Sequence, residues 1–338
     1  MRRMRPKEPR GKRTKKIAGT TTKVNRAATR SSGGQSRRPL RTLVALDSLG
    51  SVTATAESLG YTPAAVSHQL QKLSRYLGAP VTERTGRGIA LTPVGRELSR
   101  RGAGLLEELE SLETAARAQS GEPRGRITVG GFSTGIRGLL VPALPRLAAS
   151  APELTVSNFE EEPDELIEMV TAGRIDASLV FGWDSSSLHL PATLISETIT
   201  VDRADIVMHR DHHLAACTEV TRSDLLGEMF VSAPRNAVCH RWLTALFEEL
   251  GSKPQIDYWA IEYDTQIEFV RAVGALALVP RLGRPHLPAD VVAVPLDDPS
   301  IARTISLVWR KSMSASPAIA FLLEEMKAIA GKADTISA

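Results

Sequence analysis

The chain has 338 residues, 42% apolar and 24% charged, with a formal net charge of +4 and two cysteines. That length suggests two or three folding units with real cores, and so few thiols exclude a disulfide framework. There is no apolar run long enough to span a bilayer, and no apolar core follows the early arginines, so neither a membrane span nor a secretory signal is expected and the reading is cytoplasmic.

The charge is unevenly placed. Residues 1–38 hold 14 Lys or Arg against the single acid Glu8, whereas the other 300 residues carry 28 basic and 37 acidic side chains. The basic tail has almost no large apolar residue to offset ordering entropy, so it is expected to be disordered. Its charge suits nonspecific contact with phosphates; the alternative is a translation start assigned too early.

From Ser51 the pattern becomes specific. A short helix, roughly Thr53 to Leu59, ends at Gly60. A second begins at Thr62-Pro63, where the hydroxyl can cap free N–H groups and the proline loses nothing, and it closes at Gly78. Val66, Leu70, Leu73 and Leu77 form its inward stripe, while Ala64, His68, Gln71 and Arg75 face outward, flanked by Ser67 and Lys72. Val81–Glu83 and Ile89–Leu91 can then pair across Thr85–Gly88, projecting Arg84 and Arg87. Two helices, a tight turn and a basic hairpin make a winged helix-turn-helix, a fold whose second helix enters the major groove of double-stranded DNA. Thr62, Ala64, Ser67 and His68 are the expected groove contacts, Lys72 and Arg75 the phosphate contacts, and Arg84 and Arg87 the wing contacts. The competing reading is a small helical domain with a solvated basic face.

Thr92-Pro93 repeats the capping pattern and opens a helix to about Ala118. Leu98, Gly102, Leu105, Leu109, Leu112 and Ala116 recur at heptad spacing along it, which favours pairing with another helix over packing on its own C-terminal domain. Gln119–Gly125 reads as a joint. Beyond it, apolar strands at Ile127–Gly130, Thr155–Asn158, Ala177–Phe181, Ile206–Met208, Ala275–Val279 and Ile305–Trp309 alternate with helical stretches. Alternation of this kind argues for an α/β domain with largely parallel sheets.

Three constellations invite chemistry. Gly131-Phe-Ser133-Thr-Gly135 has the nucleophile-elbow spacing between a strand and a helix, but of His189, His209, His212, His213, His240 and His286 none sits where a base is marked. The competing use of Ser133 and Thr134 is to hold a carboxylate or phosphate at a helix start. His209–His213 contains three histidines and an acid, still far from a fixed coordination set, so no metal is expected. Cys217 and Cys239, 22 positions apart, would allow a thiol switch, although isolated thiols are more often passive.

Residues 39–330 resemble the LysR-type transcriptional regulators. The resemblance is carried by Leu40–Leu91, Gly125–Gly130, Leu166–Val180, Val270–Pro280 and Leu307–Arg310. It implies a winged helix-turn-helix at 39–92, a dimerising linker helix at 93–119 and a two-lobed effector domain at 126–330 that is similar to a periplasmic binding protein. Lobe 1 would take about 126–200 and 285–330, and lobe 2 about 201–284. It further implies a homodimer or homotetramer on promoter DNA, with a small-molecule effector held near Ser133 and Thr134, and also Ser232, Pro234 and Thr265. Asn158–Glu162 should border that cleft. No enzyme activity and no cofactor follow. The chain departs from the family at Pro63, Ala64, His68 and Thr82, which puts the DNA sequence it reads in doubt but not the fold. The alternatives are a serine hydrolase built on Ser133, a thiol-based redox-sensing regulator, or a stand-alone solute-binding protein.

Overall fold

A computed structural model describes residues 37–86, 88–119, 121–183, 190–235, 237–298 and 302–336. The basic tail up to residue 36, with its expected disorder, and the candidates Arg87 and His189 lie outside them.

Helices α1 (Arg37–Leu49), α2 (Val52–Leu59) and α3 (Pro63–Leu77) surround one small core. Leu43, Leu46, Ala56, Val66, Leu70 and Leu73 fill it, closed by Val81 and Leu91 from the hairpin. Each large side chain buried there contributes about 1.5–3 kcal/mol. Local chemistry sets the helix ends. The Thr62 hydroxyl accepts from the Ala65 N–H at 3.2 Å, and Gly60 and Gly78 take the left-handed conformation that terminates α2 and α3. Strands β1 (Thr82–Thr85) and β2 (Gly88–Leu91) pair antiparallel from Thr82–Leu91 to Thr85–Gly88. Two expectations change. The folded unit starts at Arg37, so Arg37 and Arg38 belong to α1, because Arg37 is held by Glu113 at 2.7 Å. Leu77 is 40% exposed, since the last turn of α3 runs past the core.

Helix α4 (Pro93–Ala118) starts directly under the wing. The Thr92 hydroxyl accepts from the Gly95 N–H at 3.0 Å and donates to the Pro80 carbonyl at 2.7 Å. A β-carbon at Gly95 would sit 2.0 Å from the Val81 carbonyl oxygen, so only glycine permits this approach. One side of α4 packs on α1, with Gly102 against Leu40 and Glu113 on Arg37. Gly102 therefore faces α1 and leaves the expected seam, while Leu105, Leu109 and Leu112 remain exposed.

The C-terminal region is α/β. Strand β3 (Gly125–Gly131) runs parallel to both β4 (Leu154–Glu160) and β5 (Ala177–Trp183). After β3 come α5 (Ser133–Gly135), a widened π turn at Ile136–Leu140 and α6 (Val141–Ser150), head to tail. The widening accommodates Pro142, which has no N–H and crowds the carbonyl one turn back. Helix α7 (Pro163–Thr171) connects β4 to β5. Then comes β6 (Leu194–His209), 16 residues long, followed by β7 (Met229–Ser232), α8 (Val238–Glu248), β8 (Gln255–Trp259), α9 (Tyr263–Val273), β9 (Ala277–Pro280), β10 (Val291–Pro295), β11 (Ala302–Arg310) and α10 (Pro317–Ile336).

Strand β6 belongs to both lobes. Leu194–Arg203 pairs with β11, and Ala204–His209 pairs with β9 and β10. The strand order is β10-β6-β11-β5-β3-β4, with β9 beside the second half of β6. This corrects two readings. The sheets are mixed, because β9, β10 and β11 all run antiparallel to β6. The return to lobe 1 comes after Pro295 instead of at residue 285, because β10 completes the lobe 2 sheet.

Candidate functional site

The outward face of α3 is open. Thr62, Ala64, His68, Gln71 and Arg75 are exposed, and Ser67 and Lys72 are half-buried at its edges. The same helix buries Val66, Leu70 and Leu73 on the other side, so packing alone dictates which face points out. Ser67 donates its hydroxyl to the Pro63 carbonyl at 3.0 Å, which fixes its rotamer and leaves its lone pairs outward. Arg84 is exposed on β1. A polar helix face beside a basic hairpin can reach base edges with the first and phosphates with the second.

The second candidate region lies where the lobes meet. Its centre is Arg303 of β11, only 1% exposed. Its guanidinium pairs with Asp202 of β6 at 2.7 Å, donates to the Thr134 hydroxyl at 2.8 Å and lies over the rings of Phe132 and Phe181. A charge this deep persists because it is matched by a carboxylate, a hydroxyl and two ring faces. Next to it Asp205 takes Arg281 and Arg284, each at 2.7 Å. Gly283, at φ +64°, presses on the Thr134 carbonyl; a β-carbon there would stand 2.3 Å from that oxygen. Arg137 reaches Asp264 at 3.7 Å and Arg241 reaches Asp164 at 3.8 Å, bridging the lobes on their rims.

The expected effector residues are placed unequally around this centre. Thr134 is buried in it, and Ser133 is half-buried at the start of α5. Ser232 is buried with its hydroxyl 3.4 Å from His240 Nδ1, and Pro234 caps the turn before α8 by accepting from the Ala237 N–H. Thr265 is exposed, one residue after the rim acid Asp264. Burial, reinforced by Glu165 and Asp164, pushes the Glu162 carboxyl up, while Asn158–Glu160 ends β4 beside it. Sequence reasoning missed Arg303, Asp202 and Asp205. The available signal was a charged residue just before an apolar run, Arg303 ahead of Ile305–Trp309 and Asp205 ahead of Ile206–Met208.

A third cluster fastens the linker helix to lobe 1. Arg310, at the end of β11, donates from Nε and Nη2 to Glu110 of α4 at 2.8 and 3.0 Å. Its Nη1 donates to the Val170 and Ile175 carbonyls at 2.7 and 2.8 Å. Ser312 adds a further hydrogen bond to Glu110. Burial raises the Glu110 carboxyl, but Arg310, Ser312 and Arg41 outweigh it and the net direction is down. Arg41 brings α1 to the same place, its guanidinium 3.4 Å from where a Gly173 β-carbon would lie.

The elbow and the thiols look different in three dimensions. His209, His212 and His213 face Asp211 and Glu228, and His240 faces Ser232 and Thr244, so none of these bases is paired with Ser133. Cys217 is exposed, and Cys239 lies 3.2 Å from the Tyr263 hydroxyl; both are free thiols. Burial pushes the Cys239 thiol up, away from the reactive thiolate, despite the nearby positive charge of Arg303. No helix of the described residues is long and apolar enough to cross a membrane.

Comparison with known proteins agrees with this anatomy. A model of the bacterial regulatory helix-turn-helix proteins of the lysR family matches residues 38–96, and the LysR substrate binding domain matches residues 120–330. The small neutral protease regulatory protein of Streptomyces coelicolor is 30% identical over 259 residues, 76% of this chain and 70% of that protein. A hydrogen peroxide-inducible genes activator of Dickeya chrysanthemi is 25% identical over 275 residues, 81% of this chain and 88% of the relative. Among solved structures, a full-length OxyR variant from Pseudomonas aeruginosa superposes with a TM-score of 0.61 at 20% identity, covering 86% of this chain and 94% of that one. The family consists of regulators, not enzymes, which removes the hydrolase reading of Ser133. With both of its characteristic domains matched in order, the chain belongs to the LysR family of transcriptional regulators.

Proposed function

We propose that this regulator grips promoter DNA with α3 and the wing, and that a small molecule in the cleft between the lobes alters the grip. The carrying observation is the open polar face of α3, with Thr62, Ala64, Ser67, His68, Lys72 and Arg75 presented together while the opposite face is sealed in the core. In this reading Arg84 and Arg87 hold the wing to the backbone or minor groove. Ser133, Thr134, Ser232, Pro234 and Thr265 contact the effector, with Arg303 and Asp202 setting the floor beneath it. The exposed Leu105, Leu109 and Leu112 of α4 support pairing with a second copy, which would present two α3 helices to two half-sites. An effector shifts such an assembly only by binding one lobe arrangement better than another. The Arg310–Glu110 cluster is the physical connection from lobe 1 to α4.

The test is a footprint of the full chain on DNA upstream of its own gene at fixed near-physiological salt. A bounded protection over an interrupted palindrome is the expected result. Diffuse protection that other genomic fragments reproduce would overturn the promoter reading.

A further inference from the structure

Outside both candidate regions, lobe 2 gathers three metal-ligating side chains from two separate segments. His212 and His213 open a 3₁₀ turn, His213–Ala216, and Glu228 precedes β7. Nε2 of His212 is 3.1 Å from one Glu228 oxygen, and Nε2 of His213 is 3.5 Å from the other. The ligand atoms all lie within 4.8 Å of one another, and the two imidazole rings are tilted at 33° with centroids 4.5 Å apart. Bonds of 2.0–2.2 Å to a tetrahedral ion place its ligand atoms about 3.3–3.6 Å apart, which both nitrogen–oxygen separations already approach.

We propose that His212, His213 and Glu228 form a binding site for one divalent transition-metal ion of the zinc class. Two imidazoles and a carboxylate select such an ion over calcium or magnesium, which prefer oxygen alone. Three protein ligands leave a fourth position for water. Glu228 is mostly buried and His212 more so, while His213 is exposed on the solvent side, giving the ion an entry path. Binding replaces the His212–Glu228 hydrogen bond with two bonds to the metal, and the single proton of the neutral ring is exchanged through solvent from Nε2 to Nδ1. His212 Nδ1, which accepts from the Leu214 N–H at 3.3 Å, then becomes a donor and gives up that long contact. The ion would staple the 3₁₀ turn to the segment entering β7.

The test uses the full, untagged chain stripped with a chelator and titrated with Zn²⁺ by calorimetry, and with Co²⁺ by visible absorption. One ion per chain and the d–d bands of a low-coordinate cobalt centre are expected. Loss of even an outer-shell partner commonly lowers metal affinity 10–100-fold, so His213→Ala and Glu228→Gln should each weaken binding at least tenfold. His286→Ala should leave it unchanged. Because His213 is exposed, His213→Ala is expected to fold normally, which a thermal melt checks. Absence of saturable binding by the unmutated chain, or binding that survives the combined His213→Ala and Glu228→Gln change, would overturn the site.

Discussion

The guanidinium of Arg310 faces the carboxylate of Glu110 through two parallel hydrogen bonds, joining residues 200 positions apart. One belongs to the linker helix and the other to the last strand of the effector domain, and both are mostly buried. Truncating one partner of such a pair strands the other charge, at a cost of about 3–5 kcal/mol when burial is complete. Arg310→Ala should therefore destabilise the chain by an amount near the lower end of that range, and it also removes one hydrogen bond from each of the Val170 and Ile175 carbonyls. Urea unfolding at neutral pH reads this directly. A change of less than about 1 kcal/mol, typical of an exposed pair, would mean the junction contributes little.

The same carboxylate makes the junction acid-sensitive. Its net shift lies below the ordinary glutamate value of 4.5. A carboxyl depressed by folding stabilises the native state above its unfolded pKa, and that contribution fades as pH falls through the folded value. Melting temperature should thus drop more steeply below pH about 4.5 in the unmutated chain than in Glu110→Gln, which has no proton to gain. Parallel curves for the two would show that Glu110 does not govern the acid limb.

The amount of this that the sequence could disclose depends on range. The ends of α3 were readable because Thr62, Pro63 and Gly78 act within a turn of themselves. Strand β6 was read only at Ile206–Met208, because its first ten residues are stabilised by β11, about 100 positions away, with little apolar signal of their own. The Arg303–Asp202 pair spans 101 positions and leaves no local trace except a charge inside each strand. Glu228 gave no hint that it would meet His212 and His213. Leu77 shows the opposite failure, a stripe that outlasts the core it serves.

The two thiols should react at different rates. Cys217 is exposed, while burial against Tyr263 pushes the Cys239 thiol up and keeps it protonated. Iodoacetamide at neutral pH should label Cys217 first, with Cys239 labelled at a comparable rate only after unfolding. Mass spectrometry of timed samples distinguishes the two. Preferential modification of Cys239 in the folded protein would reopen the thiol-switch reading.

The outward face of α3 allows phosphate and base contacts to be separated. Lys72→Ala should weaken binding to all sequences alike and lower the slope of log affinity against log salt by about 1. His68→Ala should instead cost about 1–3 kcal/mol on the preferred site and relax its preference at one position. Fluorescence anisotropy across a salt series, with the footprinted site and a scrambled one, measures both. If His68→Ala weakens the two DNAs equally, His68 is not reading a base.

Helix α4 also has a mechanical meaning. Its 26 residues rise about 1.5 Å each, so the segment from Glu110 back to the wing is a rigid arm of roughly 27 Å. A pivot of about 7° at Glu110 would swing the far end by about 3.3 Å, close to the axial spacing of one base pair. A motion small enough to pass as side-chain relaxation within lobe 1 is thus geared up to one full step along a DNA duplex.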